Sequence, residues 1–227
     1  TAFGVTCIYP QIPGIPPYHN NGIWPFVQSY WNWAAAKTGN EEVLNHGLAS
    51  VYRASALFLT NYENMVAQTG DFLGTEINSH RMLWSMAGNM AMVYRIFMGL
   101  EFQNDGLYFN PVCPKVYGGT KNLSNYKYRN AILNITVKGH GTEIKKVTIN
   151  GKESKAAFIP KDAVGNQEII IELANNEFPN AGLNMMDNHF SLPTVLAKKE
   201  GVILNWQAIK DAKEFRIYKN GKLLKTT

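Results

Sequence analysis

The residues best suited to chemistry in this chain lie in two short stretches rich in amides, rings and carboxylates. The first, "PPYHNNG", residues 16–22, places Tyr18, His19, Asn20 and Asn21 just ahead of Trp24. The second, "NYENMVAQTGDFLGTEINSH", residues 61–80, carries Glu63, Asp71, Glu76 and His80. Amide and imidazole groups donate and accept hydrogen bonds at once, which suits sugar hydroxyls. Tyr18 or Trp24 could stack on a pyranose face. Asn20 fits equally well as a helix cap and Trp24 as a core residue, and His80 carries the same ambiguity. Glu76 stands nearest the start of a following apolar helix, whose N–H groups favour an ionised carboxylate. An ionised carboxylate beside a polar pocket is what a general base acting on water requires. A surface or capping carboxylate is the other reading of the same residue.

Several classes of function are disfavoured. There is no P-loop, dinucleotide glycine motif, nucleophile elbow or metal-spaced His/Cys cluster, so neither a cofactor nor a metal is expected. No run of some eighteen apolar residues is present, so no membrane span is expected. Of the formal charge of +5, residues 1–125 hold six Lys and Arg against seven Asp and Glu, and residues 126–227 hold sixteen against ten. The lysines of the second half are scattered among short extended segments rather than interleaved with stacking aromatics, which disfavours nucleic-acid binding. Cys7 and Cys113 are the two cysteines, and their spacing leaves pairing open.

Hydrophobic periodicity divides the chain near the same point. Helices are expected over about 23–38, 41–60 and 80–98, with Asn20 or Asn21, Asn40, and Asn78 or Ser79 as their respective caps. The first and third are apolar nearly all round and read as buried on most sides, with the third-helix methionines as core fillers. If successive helices run antiparallel, the two chemistry-bearing loops meet at one rim. Beyond residue 126 the pattern is of strands, with "KVTINGKE" and "RIYKNGK" as hairpin signals.

The motifs bear a likeness to a known group. "YHNNGIWPFVQSYWNWAAAKTGN" and "GLEFQNDGLYFNPVCPK" resemble segments of six-hairpin, (α/α)6-barrel glycosidases of the glucosidase I and glycogen-debranching type. The resemblance implies an α+β chain. Residues 1–125 would be the C-terminal part of an (α/α)6 toroid with its connector, and 126–175 a small antiparallel β domain. Residues 193–227 would begin a fibronectin III-like unit, with Trp206 and Tyr218 as its marker residues. The implied activity is inverting hydrolysis of α-linked oligosaccharides. Glu76 would be the general base, and Tyr18, His19, Asn20, Asn21, Trp24 and His80 would contact substrate. The general acid would come from an upstream, N-terminal part of the same protein, so this stretch alone would be inactive. A same-fold phosphorylase and a non-catalytic carbohydrate-binding scaffold are the alternatives. The likeness also favours a periplasmic or secreted location.

Overall fold

Pro25 opens the first helix at a position where a missing N–H costs nothing. The computed structural model describes residues 1–186, 197–201, 203–206, 208–209, 212–219 and 222–227. In it α1 spans Pro25–Thr38 and ends at Gly39, whose left-handed backbone (φ 63°) lets its N–H reach the carbonyls of Ala35 and Ala36. The Asn40 side chain then accepts from the Val43 N–H at 3.0 Å and starts α2, Glu41–Phe58. The third helix, α3, runs Leu83–Ala91 and continues as a π-helical segment over Met92–Phe97.

Two expected caps are used otherwise. The N-cap position of α1 is Trp24 and that of α3 is Met82, and neither makes a side-chain cap bond. Asn78 instead donates to the carbonyls of Asn64 (2.8 Å) and Phe72 (3.1 Å), pinning the loop ahead of α3. α3 therefore starts later than its apolar pattern suggested.

The strands form five sheets among the described residues. β1 (Gly22–Ile23) pairs with β2 (Met65–Val66), and β3 (Leu100–Phe102), β4 (Gly106–Phe109) and β9 (Phe158–Pro160) form a three-stranded sheet. β5 (Thr120–Tyr128), β6 (Asn130–Lys138), β10 (Val164–Leu173), β7 (Ile144–Ile149) and β8 (Lys152–Ser154) form a five-stranded sheet in that order. Asn150 (φ 50°) and Gly151 (φ 77°) make the two-residue turn expected of "KVTINGKE".

The (α/α)6 toroid is not present. Among the described residues the fold is richer in strand (34%) than in helix (24%), with three helices where a toroid needs about twelve. The physical reason lies in what the helices pack against. Ala35 and Ala36 of α1, Leu44, Leu48 and Val51 of α2, and Met92, Ile96 and Phe97 join one core with Leu107, Leu133, Ile135, Ile169 and Ile171 of the sheets. The helices bury their faces on β-sheet and on each other, and no ring of helices closes around them. The expected burial of α1 and α3 on most sides also fails. Of α3, Ser85 and Gly88 are buried, while Leu83, Trp84, Met86 and Met90 are exposed, so Met92 but neither Met86 nor Met90 fills the core.

The β domain is not purely antiparallel either: β10 runs parallel to β6 from Val164↔Asn130 to Glu172↔Lys138. The crossover between them carries β7, β8 and β9. An α+β class is compatible with this mixture. Residue 193, where a fibronectin III-like unit was expected to start, lies outside the described residues, as does the Asn220–Gly221 turn of "RIYKNGK". From Ala197 the described residues form two antiparallel pairs, β11 (Ala197–Glu200) with β12 (Ile203–Trp206) and β13 (Arg216–Lys219) with β14 (Lys222–Thr226).

The segment after β10 straps the sheet to the helices. Asn175 Oδ1 accepts from the His140 N–H at 2.9 Å, and Asn176 Oδ1 accepts from Thr142 and Glu143 at 3.1 Å each. Further on, the Asn180 N–H donates to the Gly39 carbonyl at 3.0 Å, and the Gly182 N–H donates to Glu42 Oε2 at 2.9 Å.

Candidate functional site

The short β1–β2 pair brings the two chemistry-bearing loops together. Gly22 pairs with Val66 and Ile23 with Met65, next to a bond from the Ala67 N–H to the Asn21 carbonyl at 2.9 Å. A second tie runs from the Glu76 N–H to the Pro17 carbonyl at 2.8 Å. Only glycine fits at position 22, because a Cβ there would lie 1.7 Å from the Tyr18 carbonyl oxygen. That close approach folds residues 18–22 into a tight turn, and the Trp24 Nε1–H closes it with a 2.9 Å bond to the same carbonyl.

The Tyr18 hydroxyl donates to Glu63 Oε1 at 3.1 Å. Glu63 is 6% exposed, and Glu76 is exposed. Partial burial, the hydrogen bond to Glu63, and the charges of Glu63 and then Glu76 together raise the Tyr18 phenol above its ordinary value. Both carboxylates therefore act on one hydroxyl.

Beside it runs a row of rings. His19 stacks on Trp24 (centroids 4.8 Å apart, 12° between planes), and Trp24 meets Trp84 edge-on at 5.8 Å. Trp84 stacks on Phe26 (5.4 Å, 11°), and Phe26 meets Tyr30 edge-on at 5.5 Å. Trp24 is 4% exposed, Trp84 44% and Tyr30 60%.

The site residues expected from sequence fall into three groups. Tyr18 and His19 lie at one end of the ring row, and exposed Glu76 is tied to their loop by its N–H bond to the Pro17 carbonyl. Asn20 and Asn21 are buried and shape the turn. Asn20 Oδ1 accepts from the Ile12 N–H at 2.8 Å, and its Nδ2 donates to the carbonyls of Ile12 and Ile15 at 3.1 Å. Asn21 takes a left-handed backbone (φ 53°) that Asn tolerates well, with its N–H on Gln11 Oε1 at 2.7 Å. Trp24 is a wall residue whose ring supports His19 and Trp84. His80 is exposed in the turn leading to α3.

Two residues gain importance that sequence reasoning did not give them. Glu63 ranked behind Glu76 because it is remote from a helix start, yet it is the buried partner of the phenol. Trp84 passed as core because its helix is apolar all round. A ring in the first turn of the helix that follows the loop was the available signal.

Among the described residues no group of three His, Cys, Asp or Glu could hold a metal ion, and no helix is long and apolar enough to cross a membrane. Cys7 and Cys113 are both free thiols. No protein-family model matches the chain, and no curated protein matches it.

Proposed function

We propose that the Tyr18–Glu63–Glu76 face binds an oligosaccharide and serves the inverting hydrolysis of an α-linked glycoside. The observation that supports this most is a phenol hydrogen-bonded to the buried Glu63 and within the field of Glu76, at the end of a partly exposed ring row. Rings with polar tips bury an apolar sugar face while leaving its hydroxyls to polar neighbours. Exposed Glu76 can hold a water and take its proton, and inversion follows when that water attacks opposite the leaving group. Glu63 is occupied by Tyr18 and fixes the phenol. An inverting mechanism also requires a general acid roughly 6.5–9.5 Å from Glu76.

A second reading is a carbohydrate-binding face without catalysis. It is favoured by the burial of Glu63, which leaves Glu76 as the one open carboxylate beside Tyr18.

The test uses the full-length protein with α-linked oligosaccharides. Glu76→Gln should lower hydrolysis by about two to four powers of ten, the usual scale for general-base loss, while binding by calorimetry persists. The anomer formed first by the unsubstituted protein, read by proton NMR, should be inverted. Binding without hydrolysis in the unsubstituted protein selects the non-catalytic reading. Retention, or near-normal turnover of Glu76→Gln, removes Glu76 as base.

A further inference from the structure

A concavity lies at the other end of α1 from Tyr18, where the helices meet the sheets. It has a volume of about 310 Å³, and its walls include Trp33, Lys37, Arg95, Asn110, Thr142 and Pro179. That volume is at the lower end of small-molecule pockets, roughly 300–1,000 Å³. No Asp or Glu lines it.

Arg95 is the distinctive group. Its guanidinium lies 4.7 Å from the centroid of the Trp33 ring. Stacking occupies the flat face of a guanidinium and leaves its N–H groups, which lie in the plane, free to donate. Among the described residues Arg95 makes no ion pair. Glu101 Oε1 pairs with Lys37, whose ammonium also sits 5.9 Å from the Trp33 centroid, and Glu101 Oε2 accepts from Asn110 Nδ2 at 2.8 Å. None of the other lining residues is charged; among them are Thr38, Thr142 and the apolar Val112, Ile144 and Pro179.

The segment carrying Arg95 is the π-helical turn Met92–Phe97, which keeps Met92, Ile96 and Phe97 buried while Arg95 stays exposed. Such turns are rare and recur at functional sites. The strap from the five-stranded sheet supplies the opposite wall through Pro179.

We infer that this cleft binds a small organic carboxylate, with Arg95 gripping the carboxylate through paired N–H donors and the apolar wall covering the body of the ligand. A guanidinium matches a planar carboxylate with two parallel hydrogen bonds. The apolar walls select against a bare inorganic anion, and the cationic rim selects against a neutral molecule of the same shape.

The experiment is titration of the ¹⁵N-labelled chain with benzoate, with benzamide as the neutral isostere and inorganic phosphate as the bare anion. Benzoate should shift the Arg95 Nε–H and Trp33 Nε1–H signals saturably and at least tenfold more tightly than benzamide or phosphate. Arg95→Gln should abolish that saturation with its far-ultraviolet dichroism unchanged, and Arg95→Lys should weaken it at least threefold, because an ammonium cannot reproduce the paired geometry. Equal binding of benzamide would mean an apolar cleft without anion recognition, and equal binding of phosphate would mean a non-selective cation patch. Either result overturns the proposal, as does an Arg95→Gln or Arg95→Lys variant that binds benzoate normally.

Discussion

Trp24 and Trp84 touch each other and yet do opposite jobs, because one is 4% exposed and the other 44%. Trp24→Ala removes a buried ring and the bond to the Tyr18 carbonyl, and should lower stability by about 3–5 kcal/mol in urea titrations. Trp84→Ala should leave the urea midpoint nearly unchanged and weaken oligosaccharide binding. Cys7 offers a chemical check on burial. Desolvation pushes its thiol up to about 11 from 9.0, against a smaller downward pull from its backbone hydrogen bond to Trp24. At pH 8 its thiolate fraction should be about a hundredfold below that of an ordinary cysteine, so iodoacetamide should label it correspondingly slowly until urea unfolds the chain. Tyr18 supplies a pH dependence. A phenol raised above its ordinary value of 10.0 stabilises the fold fully below that pH and loses the contribution as pH rises through the folded value. Tyr18→Phe should therefore flatten part of the alkaline fall in stability above about pH 10, the other raised phenols keeping the rest.

At the scale of elements, the junction between α1 and α2 is held from outside by the strap after β10. A Cβ at Gly39 would meet Pro179 Cγ at 2.6 Å, and the backbone there is already left-handed at φ 63°. Gly151 in the β7–β8 turn is also left-handed, at φ 77°, but nothing lies within 4 Å of its missing Cβ. Gly151→Ala should thus cost about 1–2 kcal/mol, the backbone penalty alone. Gly39→Ala should cost clearly more, and Pro179→Ala in that background should restore part of the loss, because it removes the clashing Cγ and Cδ. Thermal melts of the four variants, read as a double-mutant cycle, measure that coupling. A cycle that closes additively would mean the strap does not bear on the helix junction.

For the whole molecule, the core joins three helices to sheets, and one helical face is left open. Leu83, Trp84, Met86 and Met90 of α3 are all exposed, with Tyr30 and Trp31 of α1 exposed as well. Exposed apolar side chains in this number should bind a hydrophobic dye. Replacing Leu83, Met86 and Met90 together by Gln should reduce the dye fluorescence severalfold while leaving the melting temperature within a few degrees, since none of the three is buried. A melting temperature that collapsed would place these side chains in the core instead.

What the sequence determined by itself was local. The Gly39 stop, the Asn40 cap and the Asn150–Gly151 turn each depend on a backbone preference or a side-chain bond spanning a few residues, so the residues alone are enough to specify them. That the two polar loops meet was expected from the order of the helices, but what joins them is the β1–β2 pair, which no local signal announced. Tertiary structure decided everything that depended on which surface covers which. An apolar helix pattern states that a face wants burial without naming its partner, so α1 and α2 could be read as parts of a toroid although they pack on sheet, and α3 could be read as core although one face stays exposed. The parallel pairing of β6 with β10 joins residues far apart in sequence through a crossover that no local signal announces. The partnership of Tyr18 with Glu63 was hidden for the same reason: a hydrogen bond across 45 residues exists only because the β1–β2 pair closes the distance between two loops.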